Sequence, residues 1–471
     1  MSTTSSSTDQ APAEFELDRC IAAGKLSRKI LPRSKHSAVE LPDRDPVAIL
    51  EEQNRTRVES LVPIRMGRMA QSPFSFYRGA AAVMANDLAD SPVTGVRVVA
   101  CGDAHLANFG LFASPERRVL FDLNDFDEAH PAPWEWDVRR LAASIWIHGR
   151  DNSHTESQCR RSVESALVAY QGTLQSLFAL PTTDRYYFEV ETGALERRMG
   201  KDVLGLEAVV KKARKRTSQR VLQKVTTVSA NGQSTIRDEF PVIRHPERFD
   251  LDEMQGLFET YRRSVRADIR FLLAQYQLVD YAMRIVGVGS VGTRCWLFYL
   301  QGPCGEPLFL QAKEAPASVL QTYGRIAEVP GSEMAAVTQQ GGQGLRVVSA
   351  QRILQAQSDP FLGWVSSVTV EDGVQRDFYV RQFRDMKGSI DLATLTAPRA
   401  AAYASLCGAL LARAHSQSPR SAFITGYLAT GRPFVEAISK WSRRYADRTE
   451  QDYELLQHAI RTGRLAAESG V

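Results

Sequence analysis

The sequence has no hydrophobic stretch long enough to cross a membrane, for which about 18 consecutive apolar residues are needed. Its first residues, Met1 to Thr8, are polar and lack the apolar core of a secretory signal. Excess charge is also absent, because 58 Lys and Arg against 54 Asp and Glu leave a formal charge of only +4. These absences predict a cytoplasmic protein with no membrane partner, and nucleic acid is not expected as a partner either.

Cysteine is scarce, and the six cysteines are scattered along the chain. They form no CxxC pair and show no Cys/His spacing typical of a zinc site. We therefore expect reduced thiols, with neither a disulfide framework nor structural zinc. An apolar share of 44% is ordinary for soluble globular proteins, so the chain can bury a sizeable core.

The most informative stretch is a loop and the hairpin that follows it. Asp103 precedes Asn108 by five residues, and apolar stretches at 109–113 and 119–123 predict a β-hairpin that ends before Asp125. Phosphoryl transfer needs a carboxylate to orient the attacking hydroxyl and oxygen ligands to hold Mg²⁺ against the phosphates. Protein kinases supply an Asp, an Asn five residues later and an Asp beyond a hairpin. This order predicts that Asp103 acts on the acceptor and that Asn108 and Asp125 bind Mg²⁺.

The same stretch resembles motifs of the aminoglycoside phosphotransferases. Gly102-Asp-Ala-His-Leu-Ala-Asn108 is similar to their HGDxHxxN loop, and Asp125-Phe-Asp-Glu-Ala129 is similar to their D-[WF]-[ED]-x-A segment. The resemblance implies a catalytic Asp103 with His105 beside it. It also implies that Asp137, which opens a helix about a dozen residues later, supports the catalytic loop.

The chain departs from these motifs in two ways. Cys101 stands where that family has a histidine, and the hairpin loop is longer, so Asp122 stays an alternative to Asp125 as the metal ligand. A metallohydrolase that uses the same acids with His105 and Asp127 is a competing hypothesis, although the further histidines that such sites usually recruit are missing. A purely structural role is a third, since Asp and Asn are common at loop ends.

A glycine-rich stretch later in the chain forms the second constellation. The segment 287–292 matches GxGxxG, and the β-branched and aromatic residues after it predict a strand instead of the helix that a dinucleotide fingerprint opens. Protein kinases cover ATP phosphates with a glycine loop between strands, and a lysine on a following strand contacts the phosphates. Gln311-Ala-Lys313 resembles that V-A-I-K strand. The predicted nucleotide-binding residues are Gly287, Gly289, Ser290, Gly292 and Lys313.

The order of these pieces differs from that in kinases, which encode the glycine loop before the catalytic loop. A circular permutation preserves a site when the termini lie close together at the surface. The predicted helix Arg399 to Ser416 favours such a permutation, because it ends like the L-x-x-L-H helix that precedes the catalytic loop in the phosphotransferases. The glutamate that pairs with the kinase lysine is missing from the best predicted helix, Leu345 to Gln357.

Short motifs across residues 60–460 also resemble the bacterial domain of unknown function 2252 family, which carries no assigned reaction. Arg78 and Arg381 lie in two of these motifs and are predicted phosphate or substrate contacts. The motifs are Arg68-Met69, Ser72-Pro-Phe, Tyr77-Arg-Gly79, CGDAHxxNFG, FDLNDFDE, PWEWD, Tyr379-Val-Arg-Gln382 and Asp385-Met-Lys387.

We predict an α+β protein with a kinase-like, two-lobed fold in permuted order, in which a helical catalytic lobe faces an antiparallel ATP-binding lobe. A basic run, Lys211 to Arg216, is predicted to be a solvated helix face or a docking site for an acidic partner or RNA. The predicted divisions are a disordered or extended tail (1–45), the catalytic-loop part of the helical lobe (46–182), a basic insertion (183–250), the ATP-binding lobe (251–390) and the C-terminal helical part (391–471).

The predicted function is transfer of the γ-phosphate of ATP, with Mg²⁺ as cofactor, to the hydroxyl of an unknown acceptor. A small molecule is favoured over a protein as the acceptor. A catalytically silent ATP-binding scaffold is the first alternative, and nucleotide transfer to a protein is the second. The sequence leaves the acceptor and the oligomeric state open.

Overall fold

The protein is a mixed α+β fold, as the sequence predicts, and the computed structural model describes residues 13–39, 42–193, 205–228, 234–246, 251–285, 287–328, 332–370, 372–468 and 470. The described helices are α1 (Ala13–Ser27), α2 (Pro46–Asn54), α3 (Val62–Met69), α4 (Pro73–Gly79), α5 (Ala81–Leu88), α6 (Trp134–Asp151), α7 (Glu156–Phe178), α8 (Thr182–Tyr186), α9 (Leu206–Arg214), α10 (Ser218–Val225), α11 (Leu251–Ser264), α12 (Ala267–Leu273), α13 (Val319–Thr322), α14 (Glu333–Leu354), α15 (Ala397–Ser416), α16 (Ala422–Leu428) and α17 (Pro433–Arg461). The strands are β1 (Arg97–Ala100), β2 (Phe109–Ala113), β3 (Val119–Leu123), β4 (His130–Pro133), β5 (Thr226–Val228), β6 (Ser234–Ile236), β7 (Ile243–Arg244), β8 (Gln277–Arg284), β9 (Cys295–Gln301), β10 (Pro307–Glu314), β11 (Gly363–Thr369) and β12 (Gln375–Gln382). No described helix is long and apolar enough to span a membrane.

One six-stranded antiparallel sheet has the strand order β11-β12-β10-β9-β8-β7. Side chains alternate between its faces along β10. Leu310 and Ala312 pack in a core with α11 and α12, whereas Lys313 lies on the other face. The predicted succession of strand, glycine loop, strand, turn and strand is confirmed by β8, β9 and β10. The short edge strand β7 comes from the end of the segment predicted as a basic insertion.

A helical core surrounds the loop that follows β1. The helices α7 and α15 pack so closely that a Cβ on Gly408 would lie 2.1 Å from the carbonyl oxygen of Ala166, so only glycine fits there. The predicted hairpin is confirmed as β2–β3, which pair from Phe109 opposite Leu123 to Ala113 opposite Val119. The predicted helix at 399–416 is confirmed as α15.

Two predicted segments differ from the structure. The expectation of a disordered or extended tail over 1–45 is wrong for α1, and residues 1–12 of that tail lie outside the described residues. The helix α1 docks on α16 through Gly24, whose Cβ would lie 2.1 Å from the carbonyl oxygen of Phe423. Since this contact uses a glycine instead of a stripe of large apolar side chains, it leaves no hydrophobic periodicity in the sequence. The helix predicted at 345–357 begins earlier, at Glu333, and bends at Gly341 and Gly342.

Candidate functional site

A cavity of about 330 Å³ lies where the loop after β1, the loop after β3 and the glycine loop after β8 meet. Its size suits a small-molecule ligand. The structure therefore brings residues of both predicted constellations to one cavity. The predicted site residues that line it are Arg78, Asp103, His105, Asn108, Asp125, Gly287, Gly289 and Ser290.

The catalytic-loop backbone is held by Asp137, in the first turn of α6. The Asp137 carboxylate accepts hydrogen bonds from the backbone nitrogens of Cys101, at 2.6 Å, and Gly102, at 2.9 Å. It also lies 3.1 Å from Nε2 of His415 at the end of α15. Gly102 has a φ of +80°, and a Cβ there would lie 2.2 Å from the carbonyl oxygen of Glu128, so the loop requires glycine at this position.

Asp103 is ionised by its surroundings. Its Oδ1 lies 2.7 Å from Nη2 of Arg140, and its Oδ2 lies 3.6 Å from Nε2 of His105. Desolvation raises the pKa of Asp103, but the charge and hydrogen bond of Arg140, together with the nearby His105 and Arg78, outweigh it and hold the pKa below its ordinary value. Burial lowers the pKa of His105 to about 3, so this imidazole is neutral at physiological pH. The pair thus presents a carboxylate and a neutral histidine to the cavity.

Asn108 and Asp125 both line the cavity, and each carries a side-chain oxygen of the kind that binds Mg²⁺. The side-chain nitrogen of Asn108 donates to the carbonyl oxygen of Asp103 at 2.7 Å, which leaves Oδ1 of Asn108 as an acceptor. No ion pair joins Asp125 to a described cation, and desolvation together with the charge of Asp127 raises its pKa. A bound cation would favour its ionised form. Mg²⁺ is commonly held by one or two protein oxygens together with substrate phosphates and water.

The alternative metal ligand Asp122 lies away from the cavity. Its carboxylate accepts hydrogen bonds from the backbone nitrogens of Leu123, at 2.8 Å, and Ala356, at 2.9 Å, so it has a structural use. Within the described ranges, no group of three or more His, Cys, Asp or Glu side chains is placed to hold a metal ion. Both observations count against the metallohydrolase hypothesis.

Lys313 has an acidic partner, and it comes from the site itself. Its Nζ lies 2.5 Å from one oxygen of Asp127, and the hydroxyl of Tyr379 donates to the other oxygen at 2.5 Å. The side chain of Lys313 is 3% exposed. On α14, whose one glutamate is its first residue, Glu333, Arg346 donates to the carbonyl oxygens of Asp127 and Ala129. The lysine and this helix are therefore joined through the acidic segment after β3.

The glycine loop rests on the helical part of the protein. The backbone nitrogen of Val58 donates to the carbonyl oxygen of Gly292 at 2.8 Å, and Arg68 donates to that of Gly287. Both glycines have positive φ, +70° at Gly287 and +91° at Gly292. A Cβ on Gly289 would lie 3.3 Å from the carbonyl oxygen of Arg78. Larger residues in this loop would strain its backbone or push it away from the cavity.

The two predicted arginine contacts lie in different places. Arg78 lines the cavity, and its buried Nε has no hydrogen-bond partner among the described residues. Arg381 lines a neighbouring cavity of about 170 Å³, where its Nε donates to Gln311 at 3.4 Å. Its charge still acts on the acidic segment, because it favours the ionised form of Asp125. Arg78 is thus the arginine that faces the site.

A family model matches residues 57–459, which include nearly every residue that lines the cavity. The family is described as "Uncharacterized protein conserved in bacteria (DUF2252)". The chain belongs to this family. The family resemblance drawn from the sequence motifs is therefore confirmed. No curated protein and no solved structure gives a significant match to this DUF2252 chain.

Two further residues of the DUF2252 site were not selected from the sequence. Glu128 lines the cavity and accepts a hydrogen bond from the backbone nitrogen of Val319 at 2.7 Å. Desolvation raises its pKa to about 7. Arg140, the partner of Asp103, follows Asp137 by three residues. Residues three apart share a helix face, so helical spacing could have revealed Arg140, whereas the pKa of Glu128 depends on burial, which the sequence does not display.

Proposed function

We propose that this protein is an ATP-dependent phosphotransferase with a kinase-like, two-lobed fold in permuted order. In this proposal a helical lobe, 46–182 with 391–471, and an antiparallel ATP-binding lobe, 251–390, enclose the nucleotide. The observation that carries it is the single cavity that Asp103, Asn108 and Asp125 share with the glycine loop. Phosphoryl transfer depends on positioning and electrostatics, and this cavity collects the groups that supply both.

In the proposed reaction, an acceptor hydroxyl oxygen attacks the γ-phosphorus of ATP. The bond from that phosphorus to the β–γ bridging oxygen breaks, and its electron pair leaves with ADP. Asp103 accepts the hydrogen bond of the hydroxyl and receives its proton as the new bond forms. Because its pKa is held low, Asp103 is a weak base, and its main contribution is to orient the hydroxyl.

The remaining groups bind the phosphates. The side-chain oxygens of Asn108 and Asp125 would hold Mg²⁺, which neutralises negative charge on the phosphates when bound. Lys313 is not among the residues that line the cavity but is paired with Asp127, which is. Its ammonium has three donors, so it can keep Asp127 and still bond a phosphate oxygen that comes within reach. Backbone N–H groups of the glycine loop and the Arg78 guanidinium offer further donors from the cavity wall.

Calorimetric titration with Mg·ATP tests the nucleotide site. We expect saturable, metal-dependent binding that Asp125→Asn and Lys313→Met each weaken at least about tenfold. Asp151→Asn is the matched control, because Asp151 lies outside the cavity and bonds Ser72 and the backbone of Phe74. If the wild type binds no ATP with either Mg²⁺ or Mn²⁺, the proposal is wrong.

A catalytically silent nucleotide-binding module is the second candidate. Two observations favour it: Arg140 occupies one oxygen of Asp103, and Cys101 replaces the histidine of the phosphotransferase motif. ADP formation separates the candidates, since transfer produces ADP at a rate that Asp103→Asn abolishes, whereas a silent module binds ATP unchanged. Nucleotide transfer to a protein would instead release pyrophosphate and add an adenylate to the acceptor, which mass spectrometry detects.

A further inference from the structure

A second cavity, of about 600 Å³, adjoins the site cavity through Arg78, which lines both. Its walls come from α9, from the segment 388–393 and from the residues around Phe109 at the start of β2. This volume lies within the usual range for small-molecule sites. The residue that the two cavities share is also an arginine that has no bonded partner at its buried Nε.

The second cavity is lined by more positive than negative side chains. Arg78, Lys212 and Arg216 line it, against Asp391 as the one acid among its described lining residues. No described carboxylate forms an ion pair with any of the three cations. Arg216 donates to the carbonyl oxygen of Lys387 at 2.6 Å, which leaves its charge unneutralised. Asp391 already accepts from the backbone nitrogen of Ala393 at 3.2 Å.

Apolar side chains make up much of the remaining wall. Phe74, Val209, Ile390 and Leu392 line the cavity with the cations. The hydroxyl of Tyr403 also belongs to the wall, but it already donates to the carbonyl oxygen of Leu106 at 2.9 Å. A wall of this kind suits a ligand with a short carbon skeleton and one anionic group, because each part meets matching chemistry.

The basic run at 211–216 is divided between two surfaces. Lys211, Lys212, Lys215 and Arg216 all line an outer groove, and of these four only Lys212 and Arg216 also line the second cavity. Lys212 with Arg216, and Lys211 with Lys215, are therefore two pairs of cations close in sequence, of which only the first pair lines the second cavity.

We propose that the second cavity binds the acceptor, and that the acceptor is a small alcohol with a phosphate or carboxylate group. Lys212 and Arg216 bind the anionic group, and the hydroxyl extends past Arg78 to Asp103. The inference rests on the proposed phosphotransferase function for the reaction, whereas the anion site itself can be tested without turnover. A small ligand is favoured over RNA or an acidic protein because Lys212 and Arg216 line one cavity together with Arg78, which also lines the site.

The test measures binding of three probes that share a three-carbon alcohol: glycerol 3-phosphate, glycerate and glycerol. Calorimetry is performed on the full-length protein with saturating Mg²⁺ and a non-hydrolysable ATP analogue, so that the probes cannot occupy the nucleotide site. We expect at least one anionic probe to bind saturably and glycerol not to bind. Comparing the phosphate with the carboxylate probe then shows which anion the site prefers.

Two double variants test whether Lys212 and Arg216 bind the anionic group of the probe. K212Q/R216Q should weaken the anionic probe at least about tenfold, whereas K211Q/K215Q, which removes the same charge, should leave its affinity unchanged. Equal losses in both variants, or anionic probes that bind no better than glycerol, would overturn the proposal. So would loss of ATP-analogue affinity in K212Q/R216Q, because the cavity would then belong to the nucleotide. If the analogue does not bind at all, the phosphotransferase proposal fails, and the same comparison of variants without it still tests the anion site.

Discussion

Lys313, Asp127 and Tyr379 form a largely buried cluster in which each polar group depends on the others. The lysine is enclosed, and both oxygens of the carboxylate are occupied. Charges in such surroundings have lost their water, so their mutual attraction offsets the desolvation of each. Removing one partner leaves the other charge without compensation, which is more damaging than removing both.

Lys313→Met should therefore destabilise the protein by about 3 kcal/mol, because Asp127 would stay buried without its cation. Urea denaturation measures the change. The double variant K313M/D127N should recover part of the loss, since it removes both charges together. A Lys313→Met protein that unfolds at the wild-type midpoint would show that the pair contributes little to stability.

Glu128 should make stability depend on pH. Its pKa rises from the ordinary 4.5 to about 7 on folding, so the folded protein binds more protons than the unfolded chain between these values. Stability from this group is complete below pH 4.5 and is lost as pH rises to about 7. Above that pH, Glu128→Gln should be more stable than the wild type by about 3 kcal/mol, and below pH 4.5 the two should agree.

The measurement is urea unfolding of both proteins across this pH range. Only the difference between them is informative, because buried histidines such as His105 and His36, whose pKa values are lowered to about 3, change stability in the opposite direction over part of the range. A constant difference between variant and wild type would contradict the assigned role of Glu128.

Local spacing indicated many of the individual site residues. The five-residue step from Asp103 to Asn108 and the position of Asp125 after a hairpin were visible because they depend on neighbouring sequence. The partner of Lys313 was not visible, since it lies 186 residues away and no local pattern records such a contact. Tyr379 was noticed as part of a family motif, but its bond to Asp127 needed the fold.

Helices and strands followed their sequence patterns where large apolar side chains repeat. The hairpin β2–β3 appears where two apolar stretches predict it, and the helix α15 lies where it was predicted from the sequence. The helix α1 was missed because it packs through Gly24 and through Arg28, which donates to the carbonyl oxygen of Tyr427 at 2.9 Å. Neither contact produces an apolar stripe. Hydrophobic periodicity therefore does not predict helices such as α1 that pack through close backbone contacts.

Two helical glycines provide a matched test of that docking. Gly24→Ala should destabilise the protein, because the new Cβ would lie 2.1 Å from the carbonyl oxygen of Phe423 and force α1 away from α16. Gly172→Ala on α7 meets nothing within 4 Å, so it should stabilise by about 0.5–1 kcal/mol through helix propensity.

If α1 packs against α16 in solution, thermal unfolding should show a lower melting temperature for Gly24→Ala and a higher one for Gly172→Ala than for the wild type. Limited proteolysis adds a local readout, since the Gly24→Ala protein should be cleaved faster near its N-terminus. Stabilisation by both substitutions would mean that α1 does not pack against α16.

The two largest hydrophobic cores of the described residues lie next to each other. The larger core contains residues from Phe74 to Ala446, so it includes both the segment before the sheet and the segment after it. The second core joins α11 and α12 to one face of the sheet, and Tyr379 in the larger core lies next to Phe378 in the second. This interleaving argues that the molecule unfolds as a unit, even though its sequence order separates the sheet from the catalytic loop.

Hydrogen exchange at increasing urea concentration measures that cooperativity. Peptides from β9 and β10, at 295–314, and from α7, at 156–178, should lose protection at the same midpoint, because adjacent residues of β12 and the Lys313–Asp127 pair join the two cores. Two separate midpoints would mean that the sheet and the helical part are independent folding units.

The separation of 186 residues between Asp127 and Lys313 also affects the order in which parts of the site appear during translation. A ribosome adds about 5–20 residues per second, so the aspartate emerges roughly 10–40 seconds before its lysine. During that interval the nascent chain displays Asp103, Asp125 and Asp127 without the strand that later covers them. The loop after β1 is translated early, but the cavity can be completed only after the segment up to Tyr323 has been synthesised.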